Sequence, residues 1–339
     1  MPTRRTFLAA LPAAAAALPS TSRHLPRKVI IATVVQPFWV PYPGLEKRLD
    51  ELTTILDRMA ADSRRRYGRT PDLAILPEAA LTGEVGPNAL SQAVPFPGPV
   101  AQAFGNAARR HSTHIVVPTS LREGAQCTNA AVLLDRKGSL LGTYKKNHLV
   151  VSADGKSLEG GSLPGKEVPV FQCDFGKLGI QICYDMEFDR GWNELAAKGA
   201  ELIAWPTQSP QTSQPAARAM QQRCHIVSST WRNNASLFEP TGKIIAQVKQ
   251  PGEILVQEID LSYAILPWSS KLKNGRALRE MYGEKVGFRY YEDEDLGIFW
   301  SNDPATPIRR MTDALGLLEA EEDLARVRAV YGKAGVPGY

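Results

Sequence analysis

Apolar strand segments alternate with amphipathic helical segments along most of this chain, and this alternation restricts the fold more than any other feature. Residues 29–35 (VIIATVV) and 72–76 (DLAIL) are short apolar runs typical of buried strands. Between them, residues 44–66 place four leucines and a methionine on one helical stripe. Segments of both kinds follow to about residue 260. The pattern predicts an α/β fold with a mixed sheet system covered by helices.

Composition and charge exclude several other classes of protein. Of the 339 residues, 43% are hydrophobic and 22% are charged, as in an ordinary globular protein. The formal net charge is only +5, and the basic residues are spread along the chain. No basic stripe is interleaved with aromatic residues, so nucleic acid is not an expected partner.

The first 22 residues have the composition of an export signal. Arg4 and Arg5 precede the apolar run FLAALPAAAAAL at 7–18, which is too short to span a membrane and ends in small polar residues. The paired arginines resemble a twin-arginine signal. We therefore predict export to a bacterial periplasm and no membrane contact after signal removal; a disordered alanine-rich leader is the alternative.

The chain has four cysteines, at positions 127, 173, 183 and 224. In an oxidising compartment a disulfide between two of them is one alternative. Cys173 and Cys183 flank a predicted hairpin at Gly176-Lys177. A bridge between these two cysteines would remove Cys183 from any chemistry.

Three reactive side chains follow predicted strands. Glu78 comes after DLAILP, Lys146 lies in YKKNHL, and Cys183 ends the run GIQIC. Taken singly, they fit a solvated acid, a surface lysine and a buried thiol. Together they supply a base, a cation and a nucleophile, which is a complete set for attack on a carbonyl carbon.

These motifs, in this order, resemble the Glu–Lys–Cys triad of the carbon–nitrogen hydrolase (nitrilase) superfamily. The stretches TNAAVLLDRKGSLLGTY (128–144) and GAELIAWPT (199–207) extend the resemblance. It implies a four-layer α-β-β-α sandwich over residues 28–264, homodimers or higher homo-oligomers, and a mechanism without metal or cofactor. Residues 265–339, with an amphipathic helix at 308–331, are expected to form an extension that packs on the core or on a partner subunit.

The resemblance also implies roles for the site residues. Cys183 attacks, Glu78 takes the thiol proton, and Lys146 with the backbone N–H of Tyr184 holds the oxyanion. The product is a thioester, which water activated by Glu78 hydrolyses after ammonia or an amine has left. The helix expected to begin at about residue 191, together with the lysine, predicts a lowered pKa for the Cys183 thiol.

Two further residues are assigned by the same resemblance. Glu159, in LEGGSLPG (158–165), fits a second glutamate that orients the lysine and the substrate. Thr207 closes the motif GAELIAWPT and is placed with Tyr184 among the oxyanion and substrate contacts.

The residues around the nucleophile indicate the branch. Cys183-Tyr184-Asp185 looks more like amidases and carbamoylases than like nitrilases, so a small amide or N-carbamoyl compound is the expected substrate. Asp189-Arg190 stands where many relatives have Pro-Glu after the phenylalanine. The alternatives are nitrile hydrolysis, acyl transfer, or a catalytically silent exported binding protein whose Cys183 is oxidised or paired with Cys173. His111 and His114 form an H-x-x-H without a third ligand, so no metal site is expected.

Overall fold

The structure, a computed structural model, describes residues 21–39, 41–83 and 88–337. Most of the predicted leader lies outside these ranges. Its last two residues, Thr21 and Ser22, belong to a short 3₁₀ helix, and Thr21 Oγ1 donates a hydrogen bond of 2.9 Å to the carbonyl of Tyr263. Ser22 is fully buried. These two residues therefore contact the folded chain.

Seven strands form the first sheet, and three helices accompany it. The strands are Lys28–Val34 (β1), Leu73–Ile75 (β2), Val94–Pro95 (β3), His114–Glu123 (β4), Gln126–Leu134 (β5), Leu140–Lys145 (β6) and Ile254–Asp260 (β13); the helices are Leu45–Tyr67 (α1), Ala89–Gln92 (α2) and Pro99–His111 (α3). The order is β13-β1-β2-β4-β5-β6, with β3 beside β4. Strands β1, β2 and β4 run parallel, and β13, β5 and β6 pair antiparallel to their neighbours.

Six strands form the second sheet. They are Val170–Gln172 (β7), Lys177–Ile180 (β8), Leu202–Pro206 (β9), His225–Ser229 (β10), Ala235–Phe238 (β11) and Ile244–Val248 (β12); the helices Asp189–Ala197 (α4) and Ser213–Gln222 (α5) belong to this half. The strand order β12-β11-β10-β9-β8-β7 keeps every sequential pair adjacent.

Side chains alternate between the two faces of each central strand, so the buried residues of the two sheets divide among three hydrophobic cores. Ile30, on β1, packs in the cluster that joins the first sheet to α1 and α3, whereas the next residue, Ile31, packs in the cluster between the two sheets. On the second sheet, Ile180 faces the inter-sheet core and Ile203 packs with α4 and α5. The layers are helix, sheet, sheet and helix, which confirms the predicted α-β-β-α sandwich.

The C-terminal part forms a sheet of its own. Its strands are Tyr263–Pro267 (β14), Val286–Tyr291 (β15) and Leu296–Ser301 (β16), in the order β14-β16-β15; its helices are Arg276–Tyr282 (α6), Ile308–Ala314 (α7) and Ala320–Lys333 (α8). The predicted boundary at residue 264 therefore falls inside a strand. Arg289 Nε donates to buried Glu239 Oε2 over 2.8 Å and joins this sheet to the sandwich.

The prediction of a single amphipathic helix over residues 308–331 is wrong, because the structure has two helices there. The chain leaves the helix after Ala314, and Gly316 adopts a φ of +60°, a left-handed conformation that suits glycine and ends helices. Leu317 then packs in the core of the C-terminal sheet. No helix within residues 21–39, 41–83 and 88–337 is long and apolar enough to cross a bilayer.

Candidate active site

The three residues singled out from the sequence come together at one end of the two facing sheets. Glu78 follows β2, and Lys146 is the first residue after β6. The Lys146 ammonium lies 2.9 Å from Glu78 Oε1. Cys183, in the second sheet's half, is close enough for its charge to act on the pKa of Lys146. Glu159 also contacts the Lys146 ammonium. The structure thus gathers Glu78, Glu159 and Cys183 around Lys146.

Glu78 keeps one carboxylate oxygen free. The residue is 2% exposed, and its Oε1 accepts hydrogen bonds from Lys146 and, over 3.0 Å, from Asn129 Nδ2. Its Oε2 is buried and has no hydrogen-bond partner within the described residues. The backbone carbonyl of Glu78 accepts a 2.7 Å bond from the indole N–H of buried Trp231, which fixes the segment. A buried, unoccupied carboxylate oxygen is suited to accept a proton.

Lys146 remains an ammonium in this environment. Burial lowers the pKa of Lys146, but the charges of Glu78, Cys183 and Glu159 outweigh burial and raise that pKa well above its usual value. An ammonium has three N–H donors, and the two glutamates occupy two of them. The third is available to an oxygen of a bound molecule.

Cys183 begins a tight turn. The predicted strand 178–183 ends earlier, at Ile180, and a 3₁₀ helix runs from Cys183 to Glu187. Cys183 has a φ of +42°, which is uncommon for a residue with a side chain. Glu159 has a φ of +36°, and Ala79, next to Glu78, has a φ of +52°. Such conformations cost free energy and tend to cluster at functional sites.

The expected lowering of the Cys183 pKa is wrong. Burial and the negative charge of Glu78 raise the pKa of the Cys183 thiol to about 12, and Lys146, the Thr207 hydroxyl and the backbone N–H of Gln208 offset only part of this. Helix α4 begins at Asp189, six residues beyond Cys183. At neutral pH the thiol keeps its proton, and attack requires a base.

Thr207 and Tyr184 take different places beside Cys183. Thr207 is fully buried, and its hydroxyl lies near enough to the Cys183 sulfur to lower the pKa of that thiol. Its Oγ1 also accepts a 2.9 Å bond from the N–H of Ser209. The Tyr184 ring is 39% exposed and packs edge-on against Phe188. Only the backbone of Tyr184, which follows Cys183 in the turn, remains a candidate for the oxyanion contact.

Comparison with known proteins identifies the family. The sequence pattern named carbon-nitrogen hydrolase matches residues 34–266, well over half of the chain. The chain belongs to the carbon–nitrogen hydrolase family.

The relatives of this carbon–nitrogen hydrolase include amidases. Deaminated glutathione amidase of Homo sapiens is 29% identical over 158 residues, 40% of this chain and 48% of that protein, so the match spans about half of the relative. Omega-amidase NIT2 of Danio rerio is 26% identical over 191 residues, which cover 50% of this chain and 69% of that protein. The crystal structure of Saccharomyces cerevisiae Nit3 superposes with a TM-score of 0.60 at 20% identity and covers 70% of this chain and 91% of that one.

Asp185 holds the turn that begins at Cys183, and sequence reasoning did not assign it a role. It is fully buried, and its Oδ2 accepts bonds from Tyr144 OH (2.7 Å) and the Ile182 N–H (3.0 Å). Its Oδ1 accepts a 2.9 Å bond from the His148 N–H, and His148 Nδ1 lies 2.9 Å from the same oxygen. One carboxylate thus ties the Cys183 turn to the segment that carries Lys146.

We expect Asp185→Asn to lower the free energy of unfolding by about 2–3 kcal/mol, because its amide would turn N–H groups toward buried donors. Urea denaturation measures the loss. Asp189→Asn is the matched control, since Asp189 is exposed and its only ion pair within the described residues is with Arg218; it should change stability by less than about 0.5 kcal/mol. Equal effects of the two substitutions would contradict a special role for Asp185.

All four cysteines of the hydrolase are free thiols. The Cys173–Cys183 bridge that the sequence left open is not formed. The residues at the departure from the family pattern form ion pairs at the start of α4: Asp189 with Arg218 at 2.6 Å and Arg190 with Glu194 at 2.7 Å. Within the described ranges, no group of three or more His, Cys, Asp or Glu residues is arranged to hold a metal ion.

Cys224 offers a test of thiol burial away from the site. Burial raises the pKa of Cys224 to about 12. In the unfolded chain this thiol ionises at about pH 9, and in the folded chain it ionises at a higher pH. The free energy of unfolding therefore falls as the pH rises above 9, by about 1.4 kcal/mol per pH unit. We expect urea denaturation at pH 9 and pH 10 to show a steeper loss of stability for the wild type than for Cys224→Ala; parallel curves would contradict it.

Proposed function

We propose that this carbon–nitrogen hydrolase is an amidase that cleaves a small, non-peptide amide through a thioester on Cys183. The observation that carries the proposal is the unoccupied Oε2 of buried Glu78, next to an ammonium and a neutral thiol. A thiol with a raised pKa needs a base at the moment of attack, and Glu78 supplies it.

The first half of the proposed reaction forms the thioester. Glu78 takes the proton of the Cys183 thiol while the sulfur bonds to the amide carbon, and the carbonyl electrons move to oxygen. The free N–H of Lys146 and the backbone N–H of Tyr184 donate to this oxyanion. When the carbonyl reforms, the C–N bond breaks, and Glu78 returns the proton to the departing nitrogen. Ammonia or an amine leaves.

The second half releases the acid. Water attacks the thioester carbon and gives a proton to Glu78, and the same two N–H donors hold the new oxyanion. Collapse breaks the C–S bond, and the sulfur recovers a proton from Glu78. Glu159 holds the Lys146 ammonium throughout, so that the lysine points to the same place in both halves.

Amides are preferred over nitriles for two reasons. The Cys183-Tyr184-Asp185 sequence looks more like the amidase and carbamoylase branches, and the relatives described above are named as amidases. N-carbamoyl compounds carry the same carbonyl and are the second candidate class. Acyl transfer would use the same thioester with an amine in place of water.

Ammonia release tests the proposal. Purified protein would be assayed with short amides, N-carbamoyl amino acids and nitriles at pH 7–8, with hydroxylamine added in parallel to detect acyl transfer. We expect turnover with at least one amide and a thioester adduct on Cys183 by mass spectrometry. Turnover of nitriles alone, or an adduct on another residue, would overturn the proposal.

Export and assembly are separate proposals. We propose that the chain is exported by a twin-arginine route to a periplasm and works there as a homodimer or higher homo-oligomer. The twin-arginine motif at Arg4-Arg5 supports export, and the resemblance to the carbon–nitrogen hydrolase superfamily supports the assembly. Fractionation of an expressing bacterium, compared with an Arg4→Lys, Arg5→Lys variant, tests the first part. Light scattering after gel filtration tests the second.

A further inference from the structure

Asn129 joins the two glutamates of the site, and neither the sequence motifs nor the mechanism above gives it a role. It lies on β5 and is 6% exposed. Its Nδ2 donates to Glu78 Oε1 over 3.0 Å and to Glu159 Oε2 over 3.0 Å. A side-chain amide has two N–H groups, so both are used on carboxylates. The opposite amide orientation would turn Oδ1 toward two anions, which excludes it.

The bonds on Glu78 are distributed unevenly between its two oxygens. Lys146 and Asn129 both donate to Oε1, whereas Oε2 has no partner within the described ranges. On Glu159 the donors are spread, with Lys146 and the Val150 N–H on Oε1 and Asn129 on Oε2. Asn129 therefore restricts the rotation of the Glu78 carboxylate and leaves Oε2 as the oxygen that can receive a proton.

Electrostatics gives a second reason for an amide at this position. Two carboxylates share a single ammonium, with the Cys183 thiol nearby, so the cluster tends toward excess negative charge. A carboxylate at position 129 would add to that excess. An additional cation would hold Glu78 in its charged form and weaken it as a base. A neutral side chain with two N–H donors can form a hydrogen bond with one oxygen of Glu78 and one oxygen of Glu159, and it leaves the charge of both glutamates unchanged.

We propose that Asn129 is a positioning residue: it holds Glu78 and Glu159 side by side and keeps Glu78 Oε2 directed to the proton of Cys183. The proposal rests on the proposed function for its effect on turnover. It does not depend on that function for its effect on the Cys183 thiol, which reacts with iodoacetamide whether or not any amide is a substrate.

The first experiment compares Asn129→Asp with the wild type. The change keeps the shape but replaces the double donor with a third carboxylate, so we expect kcat to fall by about 100-fold or more, with KM within about threefold. Alkylation of Cys183 by iodoacetamide at pH 8, followed by peptide mass spectrometry, should slow by about 10-fold, because added negative charge disfavours the thiolate. The acid limb of the pH–rate profile should move to higher pH, a shift that a merely structural role would not cause.

The matched control is Thr128→Val on the same strand. The Thr128 hydroxyl is buried and has no hydrogen-bond partner within the described residues, so its removal should leave alkylation and turnover within about twofold of the wild type. If Asn129→Asp does not fold, Asn129→Ser keeps a single donor without added charge and should lose about 10-fold in kcat.

A double-mutant cycle tests the bridge itself. The double variant combines Asn129→Asp with Glu159→Gln. It has the carboxylate at position 129 and the amide at position 159, so the charge of the cluster returns to that of the wild type. The Glu159→Gln change should therefore cost at least about fivefold less in the Asn129→Asp background than in the wild type. A folded Asn129→Asp variant whose Cys183 alkylates at the wild-type rate, or a folded Asn129→Ser variant with the wild-type kcat, would overturn the proposal. If the wild type hydrolyses no amide, the proposed function fails, and the alkylation rates still decide the role of Asn129.

Discussion

Replacing Cys183 with alanine is expected to reduce amide turnover by at least about 10⁴-fold, because no other group described in the site can form the covalent intermediate. Steady-state ammonia release measures the loss, and mass spectrometry should show no adduct with substrate. The fold should persist, with an unfolding midpoint within about 4 °C of the wild type, since alanine also has a Cβ at this left-handed position and only one sulfur is lost.

Cys224→Ala is the matched control for that experiment. Cys224 is also a free thiol, but it is fully buried, whereas Cys183 is half-buried, and it packs in the core beneath α4 and α5. Its removal should leave kcat/KM within about threefold of the wild type, because this core does not contain the triad. Retention of more than a few per cent of activity by a folded Cys183→Ala variant would rule out Cys183 as the nucleophile.

Replacing Glu78 with glutamine is expected to lower kcat by about 10³-fold or more, because both halves of the reaction lose their proton acceptor. Glutamine has the same shape and can still accept a bond from Lys146, so the effect separates proton transfer from packing. Water activation depends on the same oxygen, so any acyl-enzyme that does form should accumulate and be visible by mass spectrometry.

The control for Glu78→Gln is provided by the neighbouring ion pair. Lys145 Nζ lies 2.7 Å from Glu123 Oε1, and both side chains are about two-fifths exposed, at 40% and 44%. In the Lys146–Glu78 pair the exposures are 1% and 3%. Glu123→Gln removes an exposed carboxylate of the same kind and should change kcat by less than about twofold. Equal losses in the two variants would contradict Glu78 as the base.

The two adjacent lysines show how much of the site could be predicted from the sequence. Composition and spacing cannot distinguish Lys145 from Lys146, because the two lysines are adjacent in YKKNHL and both follow the same predicted strand. The resemblance to known hydrolases selected Lys146, and the structure places Lys146 between two glutamates while Lys145 reaches an exposed one. Neighbouring residues at a strand end point to opposite faces, and only the packing of the second sheet decides which face is buried.

The Cys183 pKa could not be predicted from local features. A lysine and a helix start near the thiol both favour a low pKa, and sequence reasoning used them. The dominant causes, burial and the Glu78 charge, come from packing and from a residue more than a hundred positions away. Asn129 escaped notice for a similar reason, because its two partners lie 51 and 30 residues away in sequence.

The sequence by itself determined the type of nearly every element of the sandwich and the residues that end at the site, whereas the order of the layers was implied by the resemblance to the family. Periodicity and strand-ending residues are local properties, so they can be read from neighbours along the chain. Only the tertiary structure decided the protonation of Cys183, the free oxygen of Glu78, the bridge made by Asn129 and the division of the last helix into α7 and α8. Each of these depends on groups distant in sequence that folding brings within a few ångströms, where burial and charge outweigh local preference.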